Sequence, residues 1–446
     1  MFEKVLIANR GEIALRIQRA CRQLGLRTVA IYSEADANAS YLKTADQAVC
    51  IGPATPALSY LNQPAILLAA ELTGTQAIHP GYGFLSENAD FAGAVQDAGL
   101  VFVGPSASTI RTMGDKVAAK RAMLMAGVPC VPGPDVALSG NPTEALALAE
   151  QIGYPVIIKA AGGGGGRGMR VVYQAGELIQ AISVTGEEAR RAFGNPELYL
   201  ENPRHIEIQV LCDAYGQAVW LGSRDCSMQR RNQKVIEEAP ASGIPNAMIA
   251  QLGERCVQAC RNMAYLGAGT FEFLYQDENF YFIEMNTRLQ VEHTVTEMTT
   301  GIDIVEQQLR IARREPLSFG QADIIERGYA MECRINAEDP QTFIPSPGRI
   351  SRWDIPGGMG VRIDSHVLVN EVISPYYDSM LGKLITHGST RAQAMARMQT
   401  ALGDMVVQGI KTNISLHQNL LQDPGFIAGG MDNQHLERLL AARQAL

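Results

Sequence analysis

TFEFLYQDENFYFIEMNTRLQVE, residues 270–292, reads as a β-hairpin. Thr270–Gln276 and Phe280–Glu284 are rich in aromatic and β-branched residues, and Asp277-Glu278-Asn279 is a turn signal between them. A hairpin symmetric about Glu278 places Glu272 directly opposite Glu284. Opposed residues share a face with Cβ atoms about 5 Å apart, and like charges there are destabilising. A divalent cation turns that repulsion into binding, and hard oxygen ligands suit Mg²⁺ or Mn²⁺. The polar spacing continues beyond the hairpin: Glu284, Asn286, Arg288, Gln290 and Glu292 occupy every second position. In an extended chain they share one side, with Ile283, Met285, Thr287, Leu289 and Val291 behind them. A half-solvated strand explains such alternation equally well; the opposed glutamates favour a site.

A chain of 446 residues suggests roughly two to four domains. Its net charge of −8 and lack of long Lys/Arg runs argue against nucleic acid or anionic membrane as main partners. Eight cysteines without a CxxC pair suggest reduced thiols and a cytoplasmic protein. The start, MFEKVLIANRGE, meets charge too early for a signal peptide, and no apolar run is long enough to span a bilayer.

Residues 1–104 alternate strand and helix signals, with strands at Lys4–Ala8 and Arg27–Tyr32 around a helix at Glu12–Leu24. This βαβ pattern predicts a parallel sheet. The GxGxxG fingerprint is absent, which counts against a nicotinamide or flavin enzyme. His79-Pro80-Gly81-Tyr82-Gly83 follows a short strand and is either a ligand-facing loop or a plain turn. Lys116 is a candidate phosphate ligand or solvated surface. Gly153–Tyr173 places a strand (YPVIIK), a glycine run and a second strand (MRVVY) in succession. Glycines carry the maximal ordering cost, so a run of them needs a reason. The GK[ST] of a P-loop is missing. The segment reads as a flap whose backbone N–H groups close over phosphates, with Gly164, Gly165 and Gly166 in it and Lys159 at its base. Ser223–Glu238 packs Arg224, Arg230, Arg231 and Lys234 with acidic partners, either as a solvated salt-bridged strand or as an anion site. Pro240–Gly267 is helical in the middle, Thr300–Arg314 forms an amphipathic helix, and Tyr329–Asn336 is a strand carrying Arg334.

ANRGEIALR (8–16), HPGYGFLSEN (79–88), GDK (114–116), KAAGGGGGRGMR (159–170), ENPRHIEIQ (201–209), RDCSMQRR (224–231), GAGTFEF (267–273), FIEMNTRLQVEH (282–293), ECRINAEDP (332–340) and PYYDSMLGKL (375–384) occur in order along the chain. Together they resemble biotin carboxylase, the ATP-grasp subunit or domain of biotin-dependent carboxylases. The resemblance implies an α/β and α+β fold. A Rossmann-like pre-ATP-grasp domain spans 1–113, an ATP-grasp domain 114–325 carries a mobile glycine-rich lid at about 131–199, and a biotin carboxylase C-terminal domain spans 326–446. No AMKM-like biotin-attachment motif is present, and the chain stops where a stand-alone subunit stops. Biotin is therefore expected on a separate biotin carboxyl carrier protein, and carboxyltransferase subunits are expected as further partners.

The resemblance also implies ATP, two Mg²⁺ or Mn²⁺ ions, bicarbonate and biotin as ligands, and commonly a homodimer. Residue by residue, Lys116, Lys159, His205 and Gln229 would bind nucleotide together with the flap. Glu272, Glu284 and Asn286 would hold the metals. Lys234, Arg288, Gln290, Val291 and Glu292 would form the bicarbonate pocket, and Tyr82 and Arg334 would hold the biotin ureido ring. Glu292 would be the general base for bicarbonate, on the way to carboxyphosphate. Arg288 stays protonated and would stabilise a biotin enolate. The expected role is the biotin carboxylase component of acetyl-CoA carboxylase in fatty acid biosynthesis. Alternatives are a component of another acyl-CoA, pyruvate or urea carboxylase, and a catalytically weak regulatory paralogue. The chain departs from the family pattern in four places. The segment before Tyr199 is short and carries Pro196, Asn232 replaces a histidine, Ser223 replaces a glutamate, and Thr294 replaces a proline. The first three are expected on the nucleotide side, loosening the hold on adenine.

Overall fold

Lys4–Ile7 (β1), Arg27–Tyr32 (β2), Gln47–Cys50 (β3), Ala77–His79 (β4) and Val101–Phe102 (β5) form the expected parallel sheet, in the order β3-β2-β1-β4-β5. Alternate residues of β1 enter different apolar clusters, Leu6 on one face and Val5 and Ile7 on the other. Parallel sheets need both faces covered, and the helix Gly11–Gln23 helps to cover one of them. The cluster around Val5 and Ile7 also takes in Leu211, Val219, Leu289 and Ile304, so the first sheet is welded to the rest of the molecule by shared apolar packing.

The computed structural model describes residues 1–130, 142–152, 156–164, 167–172, 174–193, 198–201 and 203–444. Gly165, Gly166 and the Pro196 segment lie outside the described residues, as does the Lys159 side chain. Val156–Gly164 (β6), Arg167–Val172 (β7) and Leu198–Glu201 (β8) make a small antiparallel sheet, β7-β6-β8. The strand–glycine–strand pattern therefore forms as a hairpin, with Lys159 across from Met169 and Tyr199.

The remaining strands are Arg204–Cys212 (β9), Ala218–Arg230 (β10), Gln233–Ala239 (β11), Gly267–Gln276 (β12), Asn279–Asn286 (β13), Tyr329–Asn336 (β14), Gly348–Arg349 (β15), Arg352–Asp354 (β16), Val361–Ser365 (β17), Val372–Ile373 (β18), Met380–Gly388 (β19) and Val406–Gln408 (β20). Eight of them form one sheet in the order β13-β12-β9-β10-β11-β14-β19-β17. Short ribbons pair β15 with β18 and β16 with β20. The expected helix at Thr300–Arg314 forms as Ile304–Ala312, and a separate helix that the sequence reading did not give, His293–Thr300, precedes it. Gly301, at φ +73°, ends the earlier helix in a left-handed turn, and the Asp303 carboxylate caps the later one by accepting the Glu306 N–H at 2.8 Å.

The hairpin forms with one correction. Its turn is the two-residue Asp277-Glu278, both at positive φ, so Gln276 pairs with Asn279 and Phe273 with Phe282. That register alone would set Glu272 against Ile283. A one-residue shift between Glu272 and Phe273 restores the pairing of Glu272 with Glu284. A β-bulge adds one residue to one strand and re-aims the side chains beyond it.

Candidate functional site

A cavity of about 760 Å³ opens between the first sheet, the hairpin and β10, β11 and β14. Glu284, Asn286, Arg288, Gln290, Val291 and Glu292 all line it. The polar row thus keeps to one wall, although the strand ends at Asn286 and the chain turns at Val291-Glu292 before the next helix. Val291, expected behind the row, reaches the cavity too, and its carbonyl accepts the Lys383 ammonium at 2.9 Å.

Lys234 sits among three carboxylates. Its Nζ donates to Glu292 at 2.5 Å, to Glu272 at 3.1 Å and, at very short range, to Glu207. Burial lowers the Lys234 pKa, but the three carboxylates overcome it and hold the ammonium well above its ordinary value. Glu292 shows the reverse balance. Burial pushes its carboxyl up, yet Lys234 and Arg334 pull harder and leave it at about 2. Arg334 contacts Glu292 through Nη2 at 3.0 Å and Glu237 through Nε at 2.6 Å.

Glu272 and Glu284 differ in their company. Glu272 accepts from Lys234, from Asn286 Nδ2 at 2.8 Å and from Gln290 Nε2 at 2.7 Å, and His205 Nε2 lies 3.3 Å away. Burial raises its pKa, but Lys234 and His205 carry it well below the ordinary range. Glu284 is raised, by burial first and then by the charges of Glu272 and Glu87. This is the like-charge strain expected of opposed glutamates. His205 loses basicity to burial and regains more from Glu272 and Glu207, ending at about 9. Gln229 and His205 line the cavity, whereas Lys116 lies outside its lining, at the start of the helix Lys116–Met125. The Lys116 charge still draws the Glu284 pKa down.

Arg288 is held by a residue from the first sheet's side of the cavity. Glu87 accepts its Nε–H at 2.8 Å and the Thr287 N–H at 3.0 Å, and Asn286 Oδ1 accepts from Nη2 at 2.9 Å. Tyr82 lines the cavity and donates its hydroxyl to Glu12. His79 instead turns into the protein, where its Nδ1 accepts the Gly81 N–H at 3.0 Å.

Glu207, Glu87 and Glu237 were not singled out by sequence as site residues, and Arg224 was left between a solvated strand and an anion site. Glu207 stands two residues from His205 on β9, hence on the same face, and that spacing was the available signal. Arg224 is no solvated strand residue. It is fully buried and donates to Glu207, Gln209, Thr270, Gln290 and Thr296. Two sets of side chains lie close enough for a common ion: His205, Glu207 and Glu272, and Glu207, Cys226 and Glu292. Lys234 is the cation drawn into both.

The departures separate. Asn232 lines the cavity in the two-residue turn of the β10–β11 hairpin, at φ +63°, a conformation that asparagine tolerates better than most residues. Ser223 is not on the nucleotide side as expected. It lies on β10 away from the cavity lining, and its hydroxyl accepts the Ala241 N–H at 3.1 Å. Thr294 is fully buried and donates its hydroxyl to Glu332.

Among the described residues no helix is long and apolar enough to cross a membrane. Family models match residues 1–110 (biotin carboxylase, N-terminal domain), 115–319 (carbamoyl-phosphate synthase L chain, ATP binding domain) and 332–438 (biotin carboxylase C-terminal domain). The chain is 59% identical over 444 residues to "Biotin carboxylase" of Pseudomonas aeruginosa, covering 99% of each chain. The crystal structure of the biotin carboxylase–βγ-ATP complex from Campylobacter jejuni superposes with a TM-score of 0.87 at 47% identity, covering 98% of this chain and 99% of the other. The biotin carboxylase domain dimer of Hydrogenobacter thermophilus 2-oxoglutarate carboxylase, solved with MgADP, ADP and bicarbonate, gives a TM-score of 0.86 at 47% identity and 98% coverage of each chain.

Proposed function

The chain belongs to the biotin carboxylase family and is an ATP-dependent ligase with an ATP-grasp fold, and from that premise we propose that it carboxylates biotin on a separate biotin carboxyl carrier protein, as the biotin carboxylase component of acetyl-CoA carboxylase. The observation that carries this reading is the placing of Glu292 between Lys234 and Arg334, on one wall with Arg288. An anion pocket and its own base are thereby one object. Bicarbonate drawn to Lys234 competes with Glu292 for the ammonium. Glu292 then loses the partner that depresses it most, and its basicity climbs towards what removing the bicarbonate proton requires. Arg288, held by Glu87 and Asn286, presents fixed positive charge where a biotin enolate develops. Tyr82 and Arg334 hold the ureido ring.

Glu272, Glu284 and Asn286 offer hard oxygens, and burial together with the charges of Glu272 and Glu87 raises Glu284, a repulsion that a divalent cation would relieve. The set fits Mg²⁺ or Mn²⁺. Bound there, such ions neutralise charge on the transferring phosphoryl group. Lys116, Lys159, His205, Gln229 and the glycines Gly164, Gly165 and Gly166 complete the nucleotide site. We assign 1–113, 114–325 and 326–446 as the three domains, with the lid at about 131–199, in a cytoplasmic homodimer served by carboxyltransferase subunits.

A second reading keeps the chemistry and changes the final acceptor to another acyl-CoA, pyruvate or urea. Its support is that the chain is as similar, at 47% identity, to a 2-oxoglutarate carboxylase domain as to the Campylobacter protein, so this family's biotin carboxylases serve more than one final acceptor. Phosphate release with ATP and Mg²⁺, adding bicarbonate and free biotin separately and together, tests the shared chemistry. Release should need bicarbonate and rise with biotin. Release indifferent to both refutes either reading.

A further inference from the structure

Behind Arg334 the sheet holds a second pair of opposed glutamates. β11 and β14 run antiparallel with Glu237 directly across from Glu332, and both are fully buried. Each is half satisfied. Glu237 Oε1 accepts from Arg334, and Glu332 Oε2 accepts the Thr294 hydroxyl. Glu237 Oε2 and Glu332 Oε1 are buried without a hydrogen-bond partner. Buried polar atoms are rarely left so, and an ionised carboxylate with an open oxygen is costly.

The charged and titratable groups facing the pair are Arg334 and Cys333 on β14, Lys383 on β19, Lys234 on β11, Cys226 on β10, Glu292 before the helix His293–Thr300, and Tyr82 after β4. None of the three cations makes a hydrogen bond to either open oxygen. Arg334 serves Glu237 and Glu292, Lys383 serves Glu12 at 3.3 Å and the Val291 carbonyl, and Lys234 serves the cluster around Glu292.

We propose that Glu237 and Glu332 share one proton at neutral pH, with Glu332 the neutral acid and Glu237 the counter-ion that aims Arg334 into the cavity. Both are positioning residues for biotin, which rests on the function proposed above. Burial is the largest influence raising both carboxyls, Glu237 to about 7 and Glu332 well above the ordinary range. Thr294 gives this chain its own setting. A proline there has no hydroxyl, whereas the Thr294 hydroxyl favours ionised Glu332 and eases loss of the shared proton. When that proton leaves to solvent, a second negative charge stands behind Arg334. The guanidinium is drawn inward and its hold on the ureido oxygen weakens.

The test measures KM for free biotin and for ATP against pH, with saturating bicarbonate, in the full chain and in its Glu332→Gln and Thr294→Val variants. In the unsubstituted chain KM for biotin should rise about tenfold from neutral to alkaline pH, the loss of one charge-assisted contact, while KM for ATP stays level. Glu332→Gln should flatten the rise, since an amide cannot ionise. Thr294→Val should move it to higher pH and decides the matter even if Glu332→Gln does not fold. An unaltered biotin profile in both variants, or in Thr294→Val alone, overturns the inference. Bicarbonate-dependent ATP cleavage without biotin is followed in parallel. Its absence from the unsubstituted chain overturns the functional reading and this inference together. Its presence beside an unaltered profile overturns the inference alone.

Discussion

Arg224→Lys keeps a positive charge and should nonetheless be severe. The Arg224 guanidinium donates to Glu207 at 2.9 Å, Gln209 at 2.8 Å, Thr270 and Thr296 at 3.0 Å each, and Gln290 at shorter range. A lysine has three N–H groups on one atom and cannot span the fork. At least two of the buried acceptors would lose their donor, at about 1–3 kcal/mol each. The expected loss is therefore about 2–6 kcal/mol, against a usual stability of about 5–15 kcal/mol. Urea denaturation should show a lower midpoint. Gln290, released from Arg224, should also loosen its hold on Glu272, so bicarbonate-dependent phosphate release should fall further than stability alone explains. A loss under about 1 kcal/mol with normal turnover would mean that the fork is not what holds this wall of the cavity.

Glu284→Gln should remove most turnover and Mg²⁺ binding while raising the melting temperature, because it relieves the repulsion from Glu272 and Glu87; calorimetry and titration with Mg²⁺ alone read both effects. Glu292→Gln should abolish both bicarbonate-dependent ATP cleavage and biotin carboxylation, whereas Arg288→Ala should harm carboxylation more; equal losses in both assays for both variants show the roles to be misassigned. His205 has a folded pKa raised to about 9. Its stabilisation is full below the unfolded value of about 6.5 and fades as pH rises through the folded one, so melting temperatures should fall from about pH 7 to 10, and less so in His205→Gln. The short segment with Pro196 should leave ATP held mainly by its phosphates, with an ATP KM about five- to thirtyfold above that of a variant with a longer strand before Tyr199. Micromolar KM for ATP with strong rejection of GTP speaks against this.

The parallel sheet and the paired glutamates were legible because they rest on period and composition, which a strand carries in its own residues. The bulge opposite Glu272 was not, since Ile283 looks like any other apolar strand residue and the shift is imposed by the neighbouring strand. Glu207 went unread, and Arg224 stayed open between a solvated strand and an anion site, for a related reason. Charges in a strand look solvated until the sheet closes over them, and only the packing of the helix His293–Thr300 on β10 shows where Arg224 goes. Gly301 was readable as a helix stop, yet the expected helix was carried back across it to Thr300 and so began before its observed start at Ile304.

The eight-stranded sheet passes without interruption from β11 to β14, across the proposed boundary at 326. Severing the chain there would bare two long strand edges, each a template for pairing with other chains. Glu237, fully buried, and Arg334, half-buried at the cavity, would be left on opposite fragments without each other. Chimaeras between relatives should therefore fail when the crossover lies near residue 326 and only one side of the β11–β14 seam is exchanged. They should succeed when both strands travel together. In inheritance as in engineering, the unit of exchange is that seam rather than the domain.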